Sequence, residues 1–176
     1  MTYHVCFVCS GNICRSPMAE YVFRARLVEA GLDGLVEVDS AGTGDWHEGS
    51  GADERTLSVL RDAGYDTLRP GPEGPREHVA RQFRRSWFAG RDLVVALDAG
   101  HLRELRRLAP TPEDAAKVRL LRAYEPGRDA GDTGDLDVPD PYYGGIDGFR
   151  TCLGMVESAS EGLLSTVREA LESEAA

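Results

Sequence analysis

Cys9 and Arg15 frame the stretch of this 176-residue chain in which residue type and spacing point most directly to a reaction: Val8-Cys9-Ser10-Gly11-Asn12-Ile13-Cys14-Arg15-Ser16-Pro17. A thiol closes an apolar run, and Gly11 and Asn12 follow it, residue types that tolerate left-handed backbone. Arg15 then returns a planar cation. Ser16 and Pro17 read as a helix start, with Ser16 at N-cap and Pro17 at N1. A strand, a tight polar loop and a helix N-terminus make an anion cradle: the amides of Ser10 to Arg15 point inward and the helix dipole favours negative charge. Such a field also favours thiolate over thiol, and the thiolate is the nucleophile. This arrangement suits attack on phosphorus. Cys9 would carry the phosphoryl group as a covalent intermediate, splitting one hydrolysis into two displacements. Arg15 would grip two phosphoryl oxygens as a fork, which a lysine cannot do. The bland alternative is a strand-to-helix turn with a buried cysteine and a surface arginine. A nucleotide-binding P-loop is excluded, because no Gly-Lys-Ser/Thr follows the glycine.

The second chemical residue is Asp140. Pro139 and Pro141 flank it, and Pro141 biases it toward extended backbone. A stiffly presented carboxylic acid can protonate a leaving phenolate or alkoxide. Taken alone, the same residues are an ordinary Asp-Pro turn before a helix. Ser16 has two compatible jobs, helix cap and hydrogen-bond donor to a leaving thiolate.

These residues need elements to hold them. His4–Val8 is a short, nearly continuous apolar run, as in a parallel strand buried on both faces. Helical spacing of Met18, Tyr21, Val22, Ala25 and Val28 predicts a helix over Pro17–Ala30, closed by Gly31. Leu35–Ser40 reads as a second strand, and Thr43–Gly51 as a polar loop carrying Trp46 and His47. Further elements are a helix over Asp53–Ala63, a loop over Arg69–Arg76, a short helix over Val79–Phe88 and a strand over Leu93–Leu97 ended by Asp98. A helix over Ala99–Leu108, a strand over Lys117–Leu121, a Gly/Asp-rich loop over Glu125–Leu136 and a closing helix over Asp147–Leu171 complete the chain. The expected fold is α/β: a four-stranded parallel sheet with helices on both faces, in one domain over residues 1–176. In such sheets ligands sit beyond the C-terminal strand ends, at the switch point, and the Cys9 loop lies there.

Composition narrows the partners. The net charge is −10 and the pI about 4.9. Nucleic acid and anionic membranes are therefore disfavoured as partners. The global field also repels an anionic substrate, so Arg15 and loop amides must bind it locally. Cys6, Cys9, Cys14 and Cys152 lack zinc spacing, and no metal or cofactor is expected. The start, Met1-Thr2-Tyr3-His4, has no signal-peptide pattern. No apolar run reaches the roughly 18 residues of a membrane helix. A reducing cytoplasm is the expected setting. The oligomeric state is open, with a monomer as the working expectation.

The stretch Val8 to Pro17 resembles the signature loop of the low-molecular-weight protein tyrosine phosphatases. Asp140-Pro141-Tyr142-Tyr143 resembles the general-acid loop of that family. Shorter matches lie between them in family order: Asp39-Ser40-Ala41-Gly42-Thr43, Asp45-Trp46 and Ala80-Arg81-Gln82. The resemblance runs from about residue 4 to the last helix. It implies hydrolysis of phosphotyrosine in proteins through a phosphocysteine on Cys9, with Arg15 binding the phosphoryl group and Asp140 as general acid and base. Ser10, Gly11, Asn12, Ile13, Cys14 and Ser16 would line the substrate cradle. Trp46 and Tyr142 would form opposite walls for a flat ring, with Tyr143 on the rim. Inorganic phosphate or a similar oxyanion would be product or inhibitor.

The resemblance also offers supporting roles, each beside a plainer one. Asn12 would fix the loop, or be a simple turn residue. Ser40 would brace the loop, or merely end a strand. His78 would hydrogen-bond to the loop asparagine, or sit at a surface helix start; the Arg69–Arg76 loop before it looks longer than the family's connection. Cys14 would close a reversible disulfide with Cys9, or be a small buried thiol. Cys6 and Cys152 read as packing residues, Asp98 as structural support, His47 as a loop residue, and His4 and His101 as core-edge and surface positions. Three rivals remain. A thiol-dependent arsenate reductase would need redox cysteines between Cys14 and Cys152, and there are none. A protein-arginine phosphatase carries Thr where this chain has Ile13. A catalytically idle phosphotyrosine-binding module would have lost Cys9, Arg15 or Asp140.

Overall fold

The computed structural model describes residues 2–128 and 135–176. Four parallel strands form one sheet in the order β2-β1-β3-β4: β1 (Tyr3–Cys9), β2 (Val36–Gly42), β3 (Leu93–Ala96) and β4 (Val118–Leu120). The helices are α1 (Arg15–Glu29), α2 (Glu54–Asp62), α3 (Ala99–Leu108), α4 (Pro112–Ala116) and α5 (Ile146–Ala175). This is the expected α/β fold.

From Val5 to Cys9, β1 is apolar because it is central and covered on both faces. Val5 and Phe7 point into one core, with Met18, Val22 and Phe23 of α1 and Phe149, Val156 and Leu163 of α5. Cys6 and Val8 point into the other, with Phe88, Val94, Leu105 and Val118. Each fully buried large side chain contributes about 1.5–3 kcal/mol relative to an exposed one. On the α5 side, a Cβ placed on Gly162 would lie 1.8 Å from the carbonyl oxygen of Tyr124. Glycine lets the 3₁₀ turn Leu121–Tyr124 rest its backbone directly on the helix.

The chain leaves β1, returns through α1 to β2 on one side, and then places β3 on the other side of β1. The loops after β1 and β3 diverge at this switch point and leave a crevice. Cys9 ends β1, and Asp98 follows β3.

Three local expectations are corrected. The first helix starts at Arg15 with Cys14 at N-cap, so Ser16 is not the cap and Pro17 is not at N1. The Ser16 hydroxyl is engaged instead with Cys9, Asn12 and the Ala41 carbonyl. Val28, assigned to the apolar face of that helix, is exposed. The helix over Val79–Phe88 does not form, and only Arg85–Gly90 coils, as a 3₁₀ turn. The backbone of residues 80–83 is bonded sideways: Gly42 N–H donates to Arg81 O, Phe83 N–H to Gly42 O and Ala80 N–H to Ser50 O. Those groups are unavailable for an i to i+4 ladder. The Arg69–Arg76 loop closes on itself, with Arg69 and Arg76 exchanging two backbone hydrogen bonds of 2.9 Å. Most of the Gly/Asp-rich Glu125–Leu136 loop lies outside the described residues.

Candidate active site

The Cys9 loop is held by its carbonyls. Thr43 N–H donates to Cys9 O, Gly44 N–H to Ser10 O, Asp53 N–H to Ile13 O, and Thr56 Oγ1 to Cys14 O. His78 Nε2 lies 2.7 Å from Asn12 O and must donate, since a carbonyl only accepts. With the carbonyls satisfied from outside, the amides turn the other way. Among the described residues, no acceptor meets the amides of Gly11 to Cys14. A ring of unmatched N–H donors is an anion site by construction.

Asn12 makes the reversal possible. Its φ is +59°, which costs a non-glycine residue on the order of 1 kcal/mol. The side chain offsets that cost with three hydrogen bonds. Nδ2 donates to Ser16 Oγ (2.8 Å) and Ser40 Oγ (3.0 Å), and Oδ1 accepts from Arg81 N–H (3.0 Å). Asn12 is more than a turn residue, and Ser40 more than a strand end. Ser40 passes the chain of bonds on to the buried carboxylate of Glu20 at 2.7 Å, and Glu20 is paired with Arg24 and Arg69. At the other end of this chain Ser16 Oγ lies 3.0 Å from Cys9 Sγ.

Arg15 is buried. Its Nη1 donates to Asp98 Oδ2 and to Val138 O, both at 2.8 Å, while Nη2 is 3.5 Å from Ser10 Oγ and 3.8 Å from Asp140 Oδ2. Burial works against its charge, but Cys9, Asp98 and Asp140 hold its pKa above the ordinary value. Asp98 is held below the carboxylate range: burial opposes this, and the His101 N–H, His101 and Arg15 outweigh it. The structural support expected of Asp98 is thus a direct bond to Arg15.

Asp140 is part exposed. Its Oδ1 accepts from Tyr142 N–H at 3.1 Å, which turns the loop back on itself. The loop is anchored from three elements. Val138 N–H donates to Leu97 O; Arg55 of α2 donates to Gly144 O at 2.8 Å and Tyr142 O at 3.1 Å; and Cys152 of α5 sends its thiol to Pro139 O. Arg55 is itself clamped by Asp53 and stacked 4.4 Å over the Phe149 ring.

A cleft of about 460 Å³ opens over Cys9, Ser10 and Arg15. Asp140 and the rings of Trp46, His47, Tyr142 and Tyr143 form its walls. Gly11, Ile13 and Cys14 also reach it. The side chains of Asn12, Ser16, Ser40 and His78 are buried and do not line it. Trp46 is 71% exposed, Tyr142 38% and Tyr143 90%. Burial first, then Asp53, Cys9 and Asp140, push the Cys14 thiol well up, so it stays protonated at neutral pH.

The structure decides between the readings of three histidines. Of the two readings of His78, the hydrogen bond to the loop asparagine holds, made to the backbone carbonyl of Asn12, and the surface helix start does not, because the ring is buried. His47 is more than a loop residue: a Cβ on Gly11 would lie 2.6 Å from its ring. His101 is no surface position. It is 4% exposed, and its Nε2 lies 2.8 Å from Ser10 Oγ and 3.5 Å from Arg15 Nη2. Sequence reasoning missed Arg55, Glu20 and Arg69 altogether. The one available signal for Glu20 was a carboxylate set among the apolar residues of the first half of α1, all of it buried from Arg15 to Phe23.

A larger cleft, about 990 Å³, runs between α1, the free edge of β2 and the Arg69–Arg76 loop. Among its lining charges Arg81 is paired with Asp39 and Arg24 with Glu20 beneath it, and the cleft holds no cysteine. Among the described residues no group of His, Cys, Asp and Glu is arranged to hold a metal ion, and no helix is long and apolar enough to cross a membrane.

Comparison with known proteins adds a history to this geometry. The sequence pattern of the family described as "Low molecular weight phosphotyrosine protein phosphatase" matches residues 4–174. A low molecular weight protein-tyrosine-phosphatase of Streptomyces coelicolor is 68% identical over 176 residues, covering 100% of both chains. The low molecular weight protein-tyrosine phosphatase A of Mycobacterium tuberculosis is 47% identical over 168 residues, 96% of this chain and 93% of its own. A crystal structure of a protein tyrosine phosphatase from Entamoeba histolytica superposes with a TM-score of 0.84 at 31% identity, covering 96% of this chain and 99% of that one.

Proposed function

The chain belongs to the low molecular weight phosphotyrosine protein phosphatase family, and on that premise we propose that it hydrolyses phosphotyrosine in proteins through a phosphocysteine on Cys9. One observation carries the reading. A buried thiol lies at the floor of a loop whose amides lack acceptors, beside a buried guanidinium and beneath a part-exposed carboxyl.

In the first displacement the Cys9 thiolate attacks phosphorus. An S–P bond forms, the P–O bond to the tyrosyl ring breaks, and Asp140 as carboxylic acid delivers its proton to the leaving phenolate. The loop amides and Arg15 hold the three non-bridging oxygens as charge builds on them. In the second, water attacks the phosphocysteine and gives its proton to the Asp140 carboxylate. The S–P bond breaks, inorganic phosphate leaves, and the Ser16 hydroxyl stabilises the departing thiolate. Asn12 Nδ2 already donates to that oxygen, which leaves the hydroxyl proton to swing from Ala41 O to sulfur.

Phosphotyrosine is favoured over phosphoserine and phosphoarginine by the walls. Trp46, His47 and Tyr142 offer aromatic faces to a flat ring, worth about 0.5–1.5 kcal/mol per good pair. Ile13 presents an apolar edge where a guanidinium would need a polar one. The setting is the cytoplasm, where the four unpaired cysteines would stay reduced. There Cys14 guards Cys9: peroxide converts the thiolate to a sulfenic acid, which removes the Cys9 charge that helped hold the Cys14 proton, Cys14 attacks that sulfur, and its proton leaves with the sulfenic hydroxyl as water as the disulfide closes.

The test is turnover of matched phosphotyrosine, phosphoserine and phosphoarginine peptides by wild type and Cys9→Ser. Wild type should favour phosphotyrosine and Cys9→Ser should be inert yet folded. Turnover by Cys9→Ser, or preference for another peptide, overturns the reading. Thiol reductant should restore peroxide-treated wild type more fully than Cys14→Ser; equal recovery removes the guarding role.

A further inference from the structure

We infer that His101 is the positioning residue that sets the oxyanion-binding pair Ser10 and Arg15: its Nε2, kept as an acceptor, fixes the open edge of the guanidinium and ties down the Ser10 hydroxyl. The inference rests on the phosphatase reading above and deepens it.

His101 reaches the Cys9 loop from a different element. Asp98 caps α3, and its Oδ1 accepts the backbone N–H of His101 at 3.0 Å. At that helix position the imidazole lies across the crevice. Its Nδ1 is 3.3 Å from Asp98 Oδ1, and its Nε2 is 2.8 Å from Ser10 Oγ and 3.5 Å from Arg15 Nη2.

The protonation state follows from the neighbours. Arg15 has only donors. A proton on Nε2 would face the guanidinium N–H groups, so Nε2 must carry the lone pair and Nδ1 the proton; Nδ1 lies 3.3 Å from Asp98 Oδ1 but outside hydrogen-bond geometry, so Asp98 acts on it by charge alone. The Ser10 hydroxyl is then the donor to Nε2. Burial is the main force toward the neutral ring, and Arg15 adds to it. Asp98, Asp140 and Asp137 pull the other way, and the balance leaves the pKa lowered to about 4.

Asp98 therefore serves two posts of one frame. Its Oδ2 holds Arg15 Nη1, while its Oδ1 faces the imidazole that stands against Nη2. Val138 O takes the remaining Nη1 direction. The guanidinium is fixed on the sides away from the loop amides, so its free donors and those amides converge on one volume. Ser10 Oγ donates its proton to Nε2 while its oxygen lies 3.5 Å from Arg15 Nη2, so the hydroxyl and the imidazole hold that edge of the guanidinium together.

The experiment compares wild type with His101→Leu, His101→Gln, Ser10→Ala and the double variant Ser10→Ala/His101→Leu. The readouts are kcat/KM on p-nitrophenyl phosphate and the inhibition constant of inorganic phosphate. Leucine removes the acceptor at similar volume; glutamine restores an acceptor near the Nε2 position. His101→Leu should lower kcat/KM and weaken phosphate by about tenfold each, the worth of one hydrogen bond in a charged frame. His101→Gln should recover to within about twofold of wild type. The double variant should be no worse than the weaker single one, since both remove the same bond. A residue that only supports the fold would lower the melting temperature and leave phosphate binding by the folded enzyme unchanged. Unchanged phosphate inhibition in His101→Leu overturns the inference, as does a His101→Gln as impaired as the leucine variant. If His101→Leu does not fold, Ser10→Ala reads the same bond from the loop side, and unchanged phosphate inhibition there overturns it equally. A wild type that neither turns over the aryl phosphate nor binds phosphate sinks the phosphatase reading and this inference together; an active wild type with indifferent variants sinks this inference alone.

Discussion

At the scale of single residues, Asp140 offers the sharpest test of the proposed chemistry. Asp140→Ala should lower kcat on phosphotyrosine by roughly 10²–10⁴, the usual worth of a positioned acid or base. The loss should shrink with a nitrophenolate leaving group, which needs no proton. Equal losses across leaving groups would remove Asp140 from the role. A second test concerns His101, whose pKa is lowered to about 4 from 6.5 by burial first and Arg15 second, against Asp98, Asp140 and Asp137. The unfolded chain binds the proton first, so this group costs stability as pH falls from 6.5 toward 4 and nothing above that window. The loss reaches at most about 3 kcal/mol. His78, also lowered chiefly by burial, adds in the same direction. Asp39 and Asp98, whose pKa values are lowered, act only below the ordinary carboxylate value. Melting temperatures between pH 7 and pH 4.5 should thus fall less steeply in His101→Gln than in wild type, and parallel curves would refute the assignment. Cys9, Arg15 and Asp140 stood out in the sequence because chemistry restricts the residue type, Gly11 and Asn12 tolerate the turn such a loop needs, and Pro139 and Pro141 restrict the backbone at Asp140. His101 did not. Its partners are 86 and 91 positions away, and a histidine near a helix start has no local mark that tells a surface ring from one pointing into a crevice.

At the scale of elements, the acid loop is only as well placed as the helix that holds it. Arg55 ties Tyr142 O and Gly144 O to the start of α2, and Asp53 caps that helix while clamping Arg55. Asp53 N–H also bonds Ile13 O, so α2 grips the nucleophile loop and the acid loop at once. Arg55→Met keeps bulk over Phe149 and removes both tethers. It should reduce kcat for aryl phosphates by about tenfold, the scale of lost charge-assisted hydrogen bonds, with phosphate inhibition little changed because Cys9 to Arg15 keep their own supports. A variant that loses phosphate affinity instead would place Arg55 with the anion cradle and not with the acid. The strands and long helices were legible because apolar periodicity reports burial directly. Residues 79–84 misled because their apolar spacing is compatible with a helix, while their backbone is claimed by Gly42, Ser50 and Asn12 from distant positions. The start of α1 misled for a related reason. A serine followed by proline is a common cap, but here the serine hydroxyl belongs to the Cys9 loop.

At the scale of the whole molecule, the proposed reading has a chain of net charge −10 bind an anion. The local donors must overcome that field at close range, where low dielectric strengthens them, but the approach of substrate occurs in solvent under the net charge. Trp46 and Tyr143 form an exposed rim, and on the proposed reading the flanks of a phosphopeptide would extend past it into that solvent. Peptides with basic flanks should therefore show higher kcat/KM than peptides with acidic flanks at low ionic strength. The gap should narrow as salt is added, because the screening length falls from about 30 Å at 0.01 M to about 3 Å at 1 M. The effect belongs in KM and not in kcat, since the flanks do not touch the reacting atoms. Arg55 sits beside the rim and argues the other way. It is already paired with Asp53, which leaves little free charge for a peptide carboxylate. The measurement is kcat/KM for two phosphotyrosine peptides of equal length and opposite flank charge, at 0.02 M and 0.5 M sodium chloride. A preference for acidic flanks at low salt would mean that arginines near the rim, and not the net charge, govern encounter. A gap unchanged by salt would mean that the flanks are held by direct contacts on the protein surface.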